Sequence, residues 1–348
     1  MPYSTLAFDT IEHASVWLAA MYRGWERMKG SWSGMREAAQ ALPTSHRWRT
    51  SHDAATRLPA ARGFYGLAWS RYRQNPVAVA ALAVVVVIAL FAIGADAVSA
   101  VTGFDYRENH LDTRLARPGE HGYLLGSDGN GRDILTRLAY GGRVSLTVAV
   151  LATFSTMVLG GSIGVAAGFF GRWADGVAMR VADILLSIPT LSLLILLSTL
   201  YRPGYLLLGI FIASVGWPGL ARLVRGEVLT LRKRDYIDAA RVIGATNRRI
   251  IVRHLVPNVA PVMIIWGSQV IPGFIITEAA LSFLGLGVRI PTPSWGNMLY
   301  EAQSVYRSHP TNVIFPGLLI FLTALSINLV GNGLRDALDP RLKDAARP

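Results

Sequence analysis

Apolar positions in this chain are gathered into long blocks instead of alternating with polar ones. Six blocks are long enough, or nearly so, to cross a hydrocarbon core of roughly 30 Å as helix, which takes about 17–25 residues. They run from Pro76 to about Val98, Val144 to Phe170, Ile184 to about Leu200, Tyr205 to about Ala221, Val259 to Leu286 and Val313 to about Leu334. The first block contains Val84-Val85-Val86-Val87-Ile88 and has no polar face to turn toward water, which argues against a soluble bundle of buried helices. Tyr201-Arg202-Pro203-Gly204 reads as a tight turn between the third and fourth blocks. The expected fold class is an all-α membrane protein with six transmembrane helices.

Composition agrees with that pattern. Hydrophobic residues make up 52% of the 348 residues and charged residues 16%, where a soluble domain carries about 25% charged. The net charge of +12 raises nucleic acid as a partner, but its placement points elsewhere. Ten Lys or Arg precede the first block, nine lie between Arg222 and Pro257, and four follow the last block. With six spans, these segments share one side, which the positive-inside rule makes cytoplasmic. The opposite side carries the loop 99–143, whose six Arg are matched by six acids. The charge is therefore a topology signal and a contact for anionic lipid, with both termini cytoplasmic and no nucleic acid partner expected. Residues 1–30 have no uninterrupted apolar core, so no cleavable signal peptide is expected. Phe8, Ile11, Leu18, Met21, Tyr22, Trp25 and Met28 recur at helical spacing, as in an amphipathic helix on a membrane face or against another subunit. Residues 43–62 read as a linker. The expected organisation is an extension over 1–70, a transmembrane domain over 71–342 and a short tail over 343–348.

Motifs for chemistry are absent. No GxxxxGK[ST] loop, paired metalloprotease histidines or GxSxG elbow occurs, and there is no cysteine. Neither catalytic residues nor a metal site is expected, and the sequence reads as a non-enzyme. Asp128 and Asn130 open like a calcium loop, but Arg132 and Ala139 stand where ligands are needed. Asp96 and Asp183 lie near span ends, whereas Glu278 lies deeper in the fifth and is a candidate pathway residue. Gly160, Gly164 and Gly168 recur every four residues, a close-packing face between helices. Pro189, Pro218, Pro272 and Pro316 interrupt four spans and permit bends along a pathway.

The most informative polar segment is 222–257. Glu227 to Ile243 reads as one helix stopped by Gly244. Thr246 caps a second, Asn247 to Leu255, which Pro257 ends. Together they form a basic knob joined directly to the fourth and fifth spans.

Asp238-Ala239-Ala240-x3-Gly244, followed after nine residues by His254-Leu255-Val256-Pro257, resembles the EAA loop (EAA-x3-G-x9-I-x-L-P) of ABC-importer membrane subunits. Asp238 stands for the Glu and His254 for the Ile, the latter as in the dipeptide/oligopeptide/nickel branch. Leu125-Gly126-Ser127-Asp128 through Arg143-x-Ser145-Leu146, Glu278 through Gly287 with Pro291-x-Pro293-Ser294-Trp295-Gly296, and Leu334 through Arg341 are similar to segments of that branch's C-type subunit. The resemblance spans residues 70–342. It implies a type I ABC-importer permease in a bacterial inner membrane. The implied partners are a B-type permease, two ATP-binding subunits that hold ATP and magnesium, and an extracytoplasmic solute-binding protein. It further implies that Asp238, Ala239, Ala240, Gly244, His254, Leu255 and Pro257 couple to the ATPase subunits. Arg132, Asp133, Arg137 and Arg143 are then candidates for docking the binding protein, with local salt bridges as the alternative reading. Peptides are the substrate the branch implies first, nickel chelates next. A proton-driven transporter working through Glu278 is the rival class, and it would need ionisable partners in other spans.

Overall fold

The computed structural model describes residues 64–338. The amphipathic stretch, the linker and the tail beyond 338 lie outside them. Twelve α-helices cover most of the described residues. α1 (Phe64–Tyr72) straddles the expected boundary at residue 70. It seats Ala68 and Tyr72 on Ala78 and Ala337. α2 (Pro76–Ile93) begins with the Asn75 side chain accepting from the Ala78 amide, with Pro76 in the first turn, where its missing N–H is harmless. The expected first span ends early: Gly94 separates α2 from α3 (Ala95–Thr102).

α4 (Ile134–Phe170) has 37 residues and begins ten residues ahead of the expected second span. The reason is a cap, not an apolar signal. Asp133 accepts the Thr136 amide at 2.7 Å and starts the helix within polar sequence. α5 (Arg172–Ser187) and α6 (Thr190–Tyr201) replace the expected third span. They are bent by 88° at Ile188-Pro189, where proline bars the preceding residue from helical geometry. The expected turn at 201–204 is present, and α7 (Tyr205–Leu231) follows. α8 (Asp235–Val242) and α9 (Asn247–Ile250) lead through one wide turn, Ile251–Leu255, into α10 (Val256–Phe283). α11 (Trp295–Ala302) is short, and α12 (Thr311–Leu338) closes the described chain. Among the described residues, five helical runs are long and apolar enough to cross a membrane, and a sixth if the bent α5–α6 pair counts as one.

The glycine face of α4 lies against α7. A Cβ on Gly160 would come within 2.9 Å of the Trp217 carbonyl, one on Gly164 within 2.6 Å of the Ala221 carbonyl, and one on Gly168 within 2.8 Å of Val228. Only glycine admits this approach along three turns. α10 and α12 complete the core, where Val148, Ala152, Ile212, Phe274, Ile275 and Ile327 pack together.

Candidate functional site

Segment 222–257 differs from its expected form in two ways. Glu227 to Ile243 is not one helix: α7 runs to Leu231 and α8 starts at Asp235. Between them stand Arg232, Lys233 and Arg234, cations that favour a helix C-terminus. Arg232 donates to the Gly168 carbonyl at 3.0 Å, tying the exit of α7 to the end of α4. Nor does Pro257 end a helix. It occupies the first turn of α10, so the winding continues from Asn247 to Phe283.

The rest of the knob is built as expected. Gly244 adopts φ +82°. The Gly244 amide donates to the Arg241 carbonyl and the Ala245 amide to the Ala240 carbonyl, both at 2.9 Å, the paired bonds of a Schellman stop. Thr246 accepts from the Arg249 amide. Beneath, Ile237, Ile250 and Leu255 are fully buried and pack on Val224, Val228 and Val259. The knob is therefore continuous with the span core. Ala240 is buried, while Ala239, Asp238 and Pro257 are exposed. Asp238 pairs with Arg241 at 3.0 Å. His254 is half-buried, its ring 6.3 Å from that of Tyr236. Sequence reasoning missed the tip: Val242 is 87% exposed and Ile243 82%. Together they form a small bare aliphatic patch on a polar protrusion. Read as part of one continuous helix their facing is not fixed; the break at Arg232–Arg234 sets it, with Ile237 and Ala240 inward and these two outward.

At the other end of α4, Arg132 and Arg137 are spent internally. Arg132 reaches Asp128 and Glu301, each at 2.8 Å. Arg137 pairs with Asp128 and with Glu301 at 2.6 Å. Both Arg are buried, and the ring of two guanidinium and two carboxylate groups clamps the 99–133 loop to α11. Glu301 lies 169 positions from Arg132, beyond any local pattern. Asp133 is buried as the cap of α4, and burial raises its carboxyl pKa more than the Thr136 amide lowers it. Arg143 donates to the Ile93 carbonyl and to Asp96, at 2.8 and 2.9 Å, closing the end of α2. That bond, followed by one from Tyr140, lowers the Asp96 pKa. Arg132, Arg137 and Arg143 are thus salt-bridged locally, whereas Asp133 serves as a helix cap.

Glu278 is fully buried. Its carboxylate accepts from Ser145 at 2.8 Å and Ser282 at 2.7 Å, and Ser145 accepts the Trp295 amide at 3.2 Å. The carboxylate thus joins α4, α10 and α11. Pro218 and Pro272 are buried inside α7 and α10, and Pro316 inside α12.

The family described as binding-protein-dependent transport system inner membrane component matches residues 160–344. The N-terminal TM domain of oligopeptide transport permease C matches residues 63–118. The chain belongs to the binding-protein-dependent transport permeases. Among relatives of this permease, the oligopeptide transport system permease protein OppC of Haemophilus influenzae is 38% identical over 78% of the chain and 86% of the relative. The dipeptide transport system permease protein DppC of Alkalihalophilus pseudofirmus is 39% identical over 79% of the chain and 90% of the relative. The glutathione transport system permease protein GsiD of Pectobacterium atrosepticum has the same identity and coverage. A solved structure of the MetNI methionine ABC transporter, inward facing, is similar over 57% of the chain at 19% identity, with a TM-score of 0.46. The permease is a multi-pass inner-membrane protein of the ABC-transporter class.

Proposed function

We propose that this permease carries di- and oligopeptides inward as one of two membrane subunits of an ATP-driven importer. Its partners are a second, B-type permease, two ATP-binding subunits and an extracytoplasmic solute-binding protein. ATP and magnesium are bound and used on the ATPase subunits, and this chain performs no catalysis. Both termini and the 232–255 knob face the cytoplasm, and the 99–133 loop faces outward. The names of the relatives support the peptide substrate: oligopeptide, dipeptide and the tripeptide glutathione.

The observation that carries the coupling role is the exposed Val242–Ile243 tip above a core shared with α4, α7 and α10. A nucleotide-driven movement of a groove holding this tip would pass into the spans without a flexible joint. Glu278 is a structural carboxylate in this reading, holding helix ends together on the outer side. The test replaces both tip residues, Val242→Asp with Ile243→Asp. The altered permease should insert normally, yet the ATPase subunits should fail to co-purify or should lose stimulation by loaded binding protein. Normal stimulated hydrolysis with both substitutions would show that the knob is not the coupling element.

A further inference from the structure

A cavity of about 690 Å³ opens between the α6–α7 turn and the segment after α10, within the range of small-ligand sites. It lies at the end of the bundle that carries the 99–133 loop, because the lining residue Asn297 belongs to α11, whose Trp295 donates to the Leu138 carbonyl of α4 at 3.0 Å. Arg202 and Arg289 line it together with Ser198, Tyr300 and backbone around Gly287, and no acidic side chain lines it. Among the described residues neither guanidinium has a carboxylate partner within ion-pair distance. Both residues are exposed, whereas Arg132 and Arg137 at the same end of the bundle are buried and ion-paired.

The arrangement of these groups points to a ligand. The Arg289 guanidinium donates to the Arg202 carbonyl, which holds the second cation against the turn that carries the first. Arg202 itself is the left-handed C-cap of α6, at φ +43°, which sets it at the turn bordering the cavity. The Ser198 hydroxyl is buried and has no hydrogen-bond partner, although it borders the same cavity. The other polar lining groups are engaged: Ser282 with Glu278, and Asn297 with the Thr292 carbonyl and the Ser294 amide. What remains free is a set of donors, two of them cationic and forked, and that is the arrangement that recognises a carboxylate.

We infer that this cavity receives the carboxylate of the transported solute at the outer mouth of the pathway. Arg202 and Arg289 bind the anion, and Ser198 and Tyr300 supply neutral donors. This rests on the peptide reading above, since a peptide's free C-terminus provides that group. The floor of the cavity connects inward. Ser282, which accepts the Val288 amide, donates to Glu278, so an anion held here sits one residue from the junction of α4, α10 and α11.

The test uses the complete importer in vesicles, with a tripeptide and its C-terminal amide as paired probes, each corrected for loading of the binding protein. In Arg202→Gln with Arg289→Gln, the ratio of free-acid to amide uptake should fall about tenfold, the size of one lost charge-assisted contact. The Lys pair should restore most of it. An unchanged ratio would overturn the proposal. A second readout does not depend on uptake: the rate at which phenylglyoxal modifies Arg202 and Arg289, followed by mass spectrometry on the assembled complex in nanodiscs. The free-acid tripeptide and succinate should slow modification at least threefold, and the amide should not. Equal effects of acid and amide would overturn the site. So would protection that follows the content of anionic lipid and ignores added carboxylate, which would assign the cations to lipid phosphate. Failure of the unaltered importer to take up either probe would overturn the peptide reading alone, with succinate protection still deciding the carboxylate site.

Discussion

Gly244 does its work through backbone conformation and not through space. A Cβ there would meet nothing within 4 Å, but φ is +82°, so any other residue is strained and a β-branched one most. Gly244→Val should cost about 1–2 kcal/mol in the turn and reduce hydrolysis stimulated by loaded binding protein several-fold. Gly244→Asn, which tolerates this region, should keep most of it. Equal behaviour of the two variants would remove the turn from the account. The stop was legible in sequence because glycine after a run of helix formers has a direct backbone meaning. The neighbouring tip was not. Val242 and Ile243 look like core residues until the break at Arg232–Arg234 is known, and that break involves a contact with α4 that is distant in the chain.

Among the elements, α4 and α7 form the pair on which the knob rests. Gly164→Ala would place a methyl 2.6 Å from the Ala221 carbonyl and 2.8 Å from Val224, neither of which is a flexible side-chain end. The expected loss is about 1–3 kcal/mol, seen as a lower melting temperature of the purified complex. Gly176→Ala in α5, where nothing lies within 4 Å, should be neutral or should stabilise by about 0.5–1 kcal/mol. If both variants behaved alike, the packing of the glycine face would not be what holds the pair. Hydropathy located the five long apolar helices because burial in lipid needs only apolar length. It misplaced their ends, where single polar residues decide. Asp133 begins α4 ahead of its apolar run, and Ile188-Pro189 turns one apolar block into two helices at a steep angle. The junction at Glu278 shows the same limit. Ser145, Glu278 and Trp295 are each ordinary in sequence, and only the fold brings them together.

For the whole molecule, the charge asymmetry predicts orientation. A reporter joined after Gly119 should read as outside the cytoplasm and one after Lys233 as inside, and the same answer from both would contradict six spans with the amino terminus inside. The buried ring of Asp128, Arg132, Arg137 and Glu301 stabilises the 99–133 loop against α11, and the knob extends the core at the opposite end. Between them run helices carrying buried Pro218, Pro272 and Pro316. In the reading proposed above this architecture transmits movement, and the ATP-binding subunits supply the work. The most direct measurement of that claim is peptide accumulation in vesicles holding this permease, its B-type partner and the binding protein, with and without the ATP-binding subunits. Accumulation should require those subunits and ATP and should ignore an imposed proton gradient. Accumulation driven by the gradient in their absence would contradict the account.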